Sequence, residues 1–123
     1  MFTLLPSVYT GIDFENTLVD ELGFNVFKYR NYYNGGGVAI GDINSDYLPD
    51  IYLVANNENN RLYINKGNMQ FKDVTNVAGV AGSHKWSTGV SMVDINGDGL
   101  LDIYVCNSGN FKGDSRANEL FIN

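Results

Sequence analysis

Residues 42–52 read DINSDYLPDIY and residues 94–104 read DINGDGLLDIY, so nearly the same stretch occurs twice in the chain. The offset between the two copies is 52 residues. When residues 37–53 are aligned with residues 89–105 at this offset, ten of the 17 positions are identical. A match of this strength predicts two copies of one supersecondary unit.

The similarity returns further along, where NRLYIN at residues 60–65 matches NELFIN at residues 118–123. The offset there is 58 residues. The second copy therefore carries an insertion, which predicts a longer loop at residues 109–117.

Short runs rich in β-branched and aromatic residues surround the repeated stretch, and Gly, Asn or Asp bounds each run. They lie at residues 38–40, 51–54, 62–64 and 71–74 in the first copy, and at residues 90–93, 103–105 and 120–122 in the second. Four strands in one period are typical of a propeller blade. We therefore predict an all-β fold of about two four-stranded blades, as a partial propeller or an open assembly.

The first third of the chain has a weaker pattern. Residues 2–11 resemble residues 71–79, which favours an outer strand of a preceding unit. Residues 12–34 are rich in aromatic residues without a helical or strand period, so we expect an irregular segment with a helical turn near residues 17–21. The predicted domains are residues 1–34 as an N-terminal strand and irregular aromatic segment, 35–86 as the first repeat, and 87–123 as the second, incomplete repeat.

The composition excludes several classes of protein. The net charge is −6 and the 8 Lys and Arg residues are scattered, so we expect no nucleic-acid partner. No apolar run approaches the roughly 20 residues that span a bilayer, and the first residues lack a signal-peptide pattern, so we expect any export signal to be absent from this chain. The lone Cys106 is expected to be a small buried residue.

The repeated loop has the pattern D-x-N-x-D-x-x-x-D, which predicts two calcium sites. Oxygen ligands at positions 1, 3 and 5, a backbone carbonyl at position 7 and a carboxylate at position 9 can surround Ca²⁺, whereas Mg²⁺ prefers a tighter octahedron. The predicted ligands of the two ions are Asp42, Asn44, Asp46, Asp50 and the Leu48 carbonyl, and Asp94, Asn96, Asp98, Asp102 and the Leu100 carbonyl.

The charge of these loops favours the same interpretation. Six of the fourteen acidic residues fall in the two nine-residue stretches, where mutual repulsion would raise carboxyl pKa values unless a cation is present. The alternative is that the Asp and Asn residues only form turns. Turn formation does not require carboxylates at positions 1, 5 and 9 in both copies, so the repetition favours metal binding.

These loops differ from an EF-hand, because position 12 is Leu53 or Val105 and the strand pattern resumes directly after position 9. Position 6 needs a positive φ, which Gly99 adopts freely and Tyr47 adopts at about 1 kcal/mol of strain. We therefore expect the first site to be weaker, or more rigidly supported, than the second.

The repeated core V-x-x-x-D-I-N-x-D-x-L-x-D-I-Y resembles the FG-GAP and VCBS repeats of integrin-α-like β-propellers. Residues 35–39 read GGGVA where that family has its Phe-Gly-Gly-Ala-Pro turn, without its Phe and Pro. FKDVT at residues 71–75, AGV at 78–80 and WSTG at 86–89 are similar to the bacterial branch named for ASPIC and UnbV. The resemblance implies propeller blades, calcium in the first inter-strand loop of each blade, and an extracellular, periplasmic or outer-membrane location.

Propellers close with about four to eight blades, whereas this chain carries about two. Either it is a piece of a longer protein or several copies associate so that exposed blade edges are covered. The first functional hypothesis is a non-enzymatic, calcium-binding surface module for adhesion, whose partners are calcium, other copies of itself, or a surface protein or glycan.

The sequence is compatible with two other functional hypotheses. One is a fragment of a polysaccharide-degrading propeller, in which His84 is a general base, Trp86 stacks on a sugar, and Asp73 or Asp114 supplies a carboxylate. A lone loop His is more often a solvated surface residue, so we assign no catalytic residue. The other is a self-assembling surface subunit that forms a polymer or a ring.

Overall fold

The computed structural model of the protein describes residues 1–83, 86–108 and 117–123. Its strands are β1 (Gly37–Gly41), β2 (Asp50–Val54), β3 (Arg61–Asn65), β4 (Phe71–Asp73), β5 (Ser87–Val93), β6 (Asp102–Asn107) and β7 (Glu119–Phe121). Two single-turn helices accompany them, α1 (Ser7–Thr10) and α2 (Thr75–Ala78). Within these residues no helix is long and apolar enough to cross a membrane.

The described strands form two antiparallel sheets in which neighbours in sequence are neighbours in space. Sheet 1 has the order β1-β2-β3-β4 and sheet 2 the order β5-β6-β7. Each sheet is a propeller-type blade, so the predicted all-β fold with blades is confirmed. The strand centres also agree with the prediction, because strands of this length are determined by local alternation and by the Gly, Asn and Asp residues that end them.

The main core lies between the two sheets. Tyr52, Val54, Leu62 and Ile64 of sheet 1 are buried against Ile103 and Val105 of sheet 2. Pairing in register places Ala39 opposite Tyr52 and Gly37 opposite Val54, so the same face of sheet 1 has small residues on β1. A Cβ added at Gly37 would lie 3.0 Å from the Gly89 Cα, which shows how closely β1 and β5 approach.

A second core cluster forms where the irregular N-terminal segment meets the start of β5. Phe24, Tyr32 and Trp86 are buried together, and the Trp86 ring centroid lies 4.9 Å from that of Phe24 and 5.0 Å from that of Tyr32. The Tyr32 hydroxyl donates a hydrogen bond to the Val19 carbonyl at 2.6 Å. Trp86 is therefore a core residue, which contradicts the sugar-stacking role it has in the alternative of a polysaccharide-degrading enzyme.

The N-terminal segment differs from the prediction in two places. Residues 2–11 form no strand: residues 7–10 form the single turn of α1, and Gly11 ends it in the left-handed region and donates a hydrogen bond to the Ser7 carbonyl at 2.7 Å. The helical turn expected near residues 17–21 is also wrong, since Glu21 instead pairs with Phe24 in an isolated β-bridge. The Phe24 side chain joins the aromatic cluster, and this tertiary contact overrides local propensity.

The N-terminal segment is also anchored on sheet 1. The Tyr63 hydroxyl donates a hydrogen bond to Asp13 Oδ1 at 3.1 Å, and burial, with this carboxylate, raises the pKa of Tyr63 to about 12. At a buried junction, Asn56 donates to the Gly35 and Ser87 carbonyls and accepts from the Asn16 amide. These bonds satisfy buried polar groups where the segment and the two sheets meet.

Candidate metal centre

The two loops predicted to bind metal connect β1 to β2 and β5 to β6, and they fold alike. Positions are counted from Asp42 in the first loop and from Asp94 in the second. Asp42 Oδ1 accepts a hydrogen bond from the position-5 N–H at 3.0 Å, and its Oδ2 accepts one from the position-6 N–H at 2.7 Å. Asp94 makes the same two bonds at 3.1 and 2.8 Å. The first carboxylate therefore wraps each loop around itself.

Positions 3 and 5 also act alike in the two loops. The side-chain oxygens of Asn44 and Asn96 accept from the position-5 N–H at 3.1 and 3.0 Å. Oδ1 of Asp46 and of Asp98 accepts from the position-7 N–H, at 2.9 Å in both loops. The N–H of Leu100, followed by the Asn96 amide, lowers the pKa of Asp98, because hydrogen bonds to a carboxylate favour its charged form.

The closing carboxylates, Asp50 and Asp102, are fully buried. In each, Oδ2 accepts from the position-2 N–H at 3.0 Å. Oδ1 reaches beyond the loop to the N–H of Asn65 at 2.8 Å or of Asn123 at 2.9 Å. Position 9 therefore fastens each loop to the end of the third strand of its own blade.

Sequence reasoning missed Asn65 and Asn123 as supporting residues. The sequence does contain a sign of their role, because each is the last residue of the second matching stretch, NRLYIN or NELFIN. The Asn123 side chain also donates to the Ile43 carbonyl of the first loop at 2.7 Å. The first loop is therefore supported from sheet 2 as well as from its own blade.

Burial changes the electrostatics of the first loop. It raises the pKa of Asp50, and the neighbouring Asp46 and Asp42 carboxylates raise it further, while the N–H groups of Asn65 and Ile43 act in the opposite direction. Three acidic groups of one loop thus interact unfavourably. A cation among them would remove this repulsion.

The backbone strain expected at position 6 is present. Tyr47 has a φ of 67° and Gly99 a φ of 89°, and at position 4 Ser45 and Gly97 have φ values of 60° and 79°. The first loop thus adopts with Ser and Tyr the conformation that the second adopts with two glycines. Both loops have the same shape although only one has the residues that adopt it without strain.

The oxygen donors of each loop suit a hard cation such as Ca²⁺, because they combine carboxylates, an amide and backbone carbonyls and include no sulfur or imidazole. Across residues 1–83, 86–108 and 117–123, no three His, Cys, Asp or Glu side chains converge in an arrangement that could hold a metal. The carboxylates point at N–H groups of their own blade instead. Each carboxylate oxygen keeps a second lone pair, so these bonds do not exhaust its capacity to bind a cation.

A family model for FG-GAP-like repeats matches residues 42–105, slightly more than half of the chain. The chain belongs to the FG-GAP-like repeat family. The match begins at position 1 of the first loop and runs into β6, so it contains both loops and strands β2 to β5 between them. This confirms the family resemblance inferred from the repeated core.

The curated relatives of this FG-GAP-like chain include cartilage acidic protein 1 from three vertebrates. The Xenopus tropicalis protein is 34% identical over 106 residues, which cover 86% of this chain and 15% of that protein. The Mus musculus and Homo sapiens proteins are 39% and 38% identical over 85 residues, 69% of this chain and 13% and 12% of theirs. The chain thus spans about one seventh of the length of the relatives it matches.

The groups named for an enzymatic alternative do not form a site within the described part of this FG-GAP-like chain. Asp73 is paired with the Arg61 guanidinium at 2.9 Å and accepts two hydrogen bonds from Thr75. Partial burial opposes ionisation of Asp73, but the Thr75 and Arg61 bonds outweigh it and lower the pKa. His84 and Asp114 lie outside the described residues, as do residues 109–116 of the expected longer loop.

Proposed function

We propose that this chain is a calcium-binding, non-enzymatic FG-GAP-like repeat module of an extracellular or cell-surface protein. The observation that carries the proposal is the duplicated loop: two nine-residue segments with carboxylates at positions 1, 5 and 9 make the same backbone hydrogen bonds. Turn formation alone does not require this set of carboxylates twice. The proposed ligands are those predicted from the sequence.

Calcium has a structural role in this proposal. Each ion would offset two of the three negative charges of its loop, and two ions would change the formal net charge of the chain from −6 to −2. At about 1 mM free calcium and a Kd of about 10 μM, each site would add roughly 2.7 kcal/mol to the free energy of unfolding. That is a large share of the stability of a small domain.

The non-enzymatic part is supported by the roles of the polar groups outside the loops. Asp73 is held in an ion pair with Arg61, and Trp86 lies in the core, where a substrate cannot reach it. The extracellular part is supported by the similarity to cartilage acidic protein 1. Binding of a surface protein or a glycan is proposed on the family resemblance, and no residue of this chain is assigned to it.

Calorimetric titration of the chelator-treated chain with CaCl₂ tests the proposal. We expect two bound ions and a melting temperature that rises with calcium and rises less with the same concentration of MgCl₂. The absence of both binding heat and a melting shift would contradict the proposal.

Variants assign the two sites. Asp46→Asn and Asp98→Asn should each remove one ion and part of the melting shift, because the amide loses the charge but keeps an oxygen that can accept the position-7 hydrogen bond. Glu58→Gln is the matched control, since it removes one exposed negative charge outside the loops. It should retain both ions.

A further inference from the structure

The two loops of the candidate metal centre contact each other across the interface between the sheets. Leu101, at position 8 of the second loop, lies against Gly41, the residue before the first loop: a Cβ added at Gly41 would lie 2.7 Å from Leu101 Cδ1. Ile43, at position 2 of the first loop, is buried in the main core, and Leu101 packs against the same cluster. A displacement of either loop is therefore felt by the other.

A chain of hydrogen bonds also joins the closing carboxylates of the two loops. Asp102 Oδ1 accepts from the Asn123 N–H at 2.9 Å, and the Asn123 side-chain amide donates to the Ile43 carbonyl at 2.7 Å. The Ile43 N–H in turn donates to Asp50 Oδ2 at 3.0 Å. Only Asn123 and Ile43 stand between the two carboxylates, which are both fully buried.

The corresponding asparagine of the first blade separates the two bonds that Asn123 makes. The Asn65 N–H donates to Asp50 at 2.8 Å, which is the same backbone bond in the middle of the chain. The Asn65 side-chain amide, however, donates to the Pro49 carbonyl of its own loop at 2.9 Å. Of these two side chains, it is that of Asn123 that reaches the loop of the other sheet.

From this chain of contacts we propose that the two calcium sites bind cooperatively and that Asn123 couples them, a coupling that rests on the proposed function because it concerns the ions assigned there. An ion held by Asp102 restricts the carboxylate that holds the Asn123 backbone. Asn123 then restricts Ile43, whose N–H positions the other closing carboxylate. The first ion to bind therefore orders part of the second site, and the next ion binds with a smaller loss of conformational entropy.

The charge of the ions acts against this coupling. Each loop carries three carboxylates, so a bound Ca²⁺ changes its formal charge from −3 to −1 and weakens its attraction for a second cation nearby. Salt at 0.15 M, with a Debye length of about 8 Å, screens this effect but leaves hydrogen bonds and packing in place. At that ionic strength we expect positive coupling of at least about fivefold in affinity.

Calorimetric titrations with CaCl₂ at 0.15 M salt measure the coupling. The Asp46→Asn and Asp98→Asn chains each keep one intact loop, so their association constants give the affinity of each site beside an empty neighbour. The coupling factor is the product of the two association constants of the two-site chain divided by the product of these single-site constants. We expect a factor of at least about five for the wild type.

Asn123→Ala tests the residue. It removes the amide that reaches Ile43 and keeps the backbone N–H that holds Asp102. The variant should still bind two ions, but its coupling factor, measured against the same loop substitutions in its own background, should fall below about two.

Asn65→Ala is the matched control, because the Asn65 side chain bonds to Pro49 and Gly67 of its own blade. It should lower the affinity of the first site and keep the coupling factor of the wild type. Two wild-type ions that bind independently or anti-cooperatively would overturn the inference and leave the proposed function intact. An Asn123→Ala chain that keeps the full factor, or an Asn65→Ala chain that loses it equally, would also overturn the inference. A chain that binds no calcium would contradict the proposed function and the coupling together.

Discussion

At the scale of single residues, the two loops form a natural comparison of a glycine with a tyrosine in one backbone conformation. Position 6 has a positive φ in both. The Tyr47 side chain is almost fully exposed, and a Cβ added at Gly99 would meet no atom within 4 Å. Substitution at either position therefore changes backbone strain with little change in packing.

We expect Tyr47→Gly to raise the free energy of unfolding by about 0.5–1 kcal/mol and Gly99→Ala to lower it by about 1 kcal/mol, because only glycine adopts this conformation without strain. Urea denaturation in the presence of a chelator measures both effects without a contribution from metal. Shifts of the same sign in the two variants would show that side-chain contacts, rather than backbone strain, determine the stability of these loops.

At the scale of elements, an asparagine closes the second hairpin of each blade. Asn60 Oδ1 accepts from the Ala55 N–H at 3.1 Å, and Asn118 Oδ1 accepts from the Asn107 N–H at 3.0 Å. The same closure forms in both blades although the second hairpin carries the insertion. The insertion therefore leaves the pairing of β6 with β7 unchanged.

The two closures differ in burial, and this predicts a difference in stability. Asn60 and Ala55 are buried, so Asn60→Ala should leave an N–H without a partner and reduce the free energy of unfolding by about 1–3 kcal/mol. Asn118 is exposed, so water can replace its oxygen and Asn118→Ala should have an effect of about 0.5–1 kcal/mol. Thermal and urea unfolding of both variants measure which substitution reduces the free energy of unfolding more. A larger reduction for Asn118→Ala than for Asn60→Ala would contradict the prediction.

At the scale of the whole molecule, the arrangement of the blades depends on the close approach of β1 and β5. A Cβ at Gly37 would lie 3.0 Å from the Gly89 Cα and 3.4 Å from the Val90 nitrogen. Both are backbone atoms, which cannot move aside as a flexible side chain can. The β1 strand therefore needs a residue without a side chain at this point.

We expect Gly37→Ala to destabilise the protein by about 1–3 kcal/mol, because the two sheets must separate slightly to accept the methyl group. Gly23→Ala is the control, since a Cβ there has no neighbour within 4 Å, and it should be neutral or stabilising by up to about 1 kcal/mol. Chemical denaturation compares the two variants. Equal effects would mean that the approach of β1 to β5 does not limit the packing of the blades.

Much of this architecture is readable from local sequence. The strand centres, the two repeated loops and the positive φ of Tyr47 follow from residue alternation and from the spacing of Asp, Asn and Gly, because strands and tight turns are specified by neighbouring residues. The family assignment follows from the same stretch. The ligand set and the calcium itself stay predictions.

Other features depend on contacts between distant residues and had no clear local signal. Residues 7–10 form a helical turn, Trp86 is buried by aromatic side chains from the N-terminal segment, and Asp50 bonds to Asn65, 15 positions away. Which face of each sheet is buried likewise became visible only when the sheets were packed. A strand pattern states which residues are apolar, whereas burial depends on which neighbouring element lies over each face.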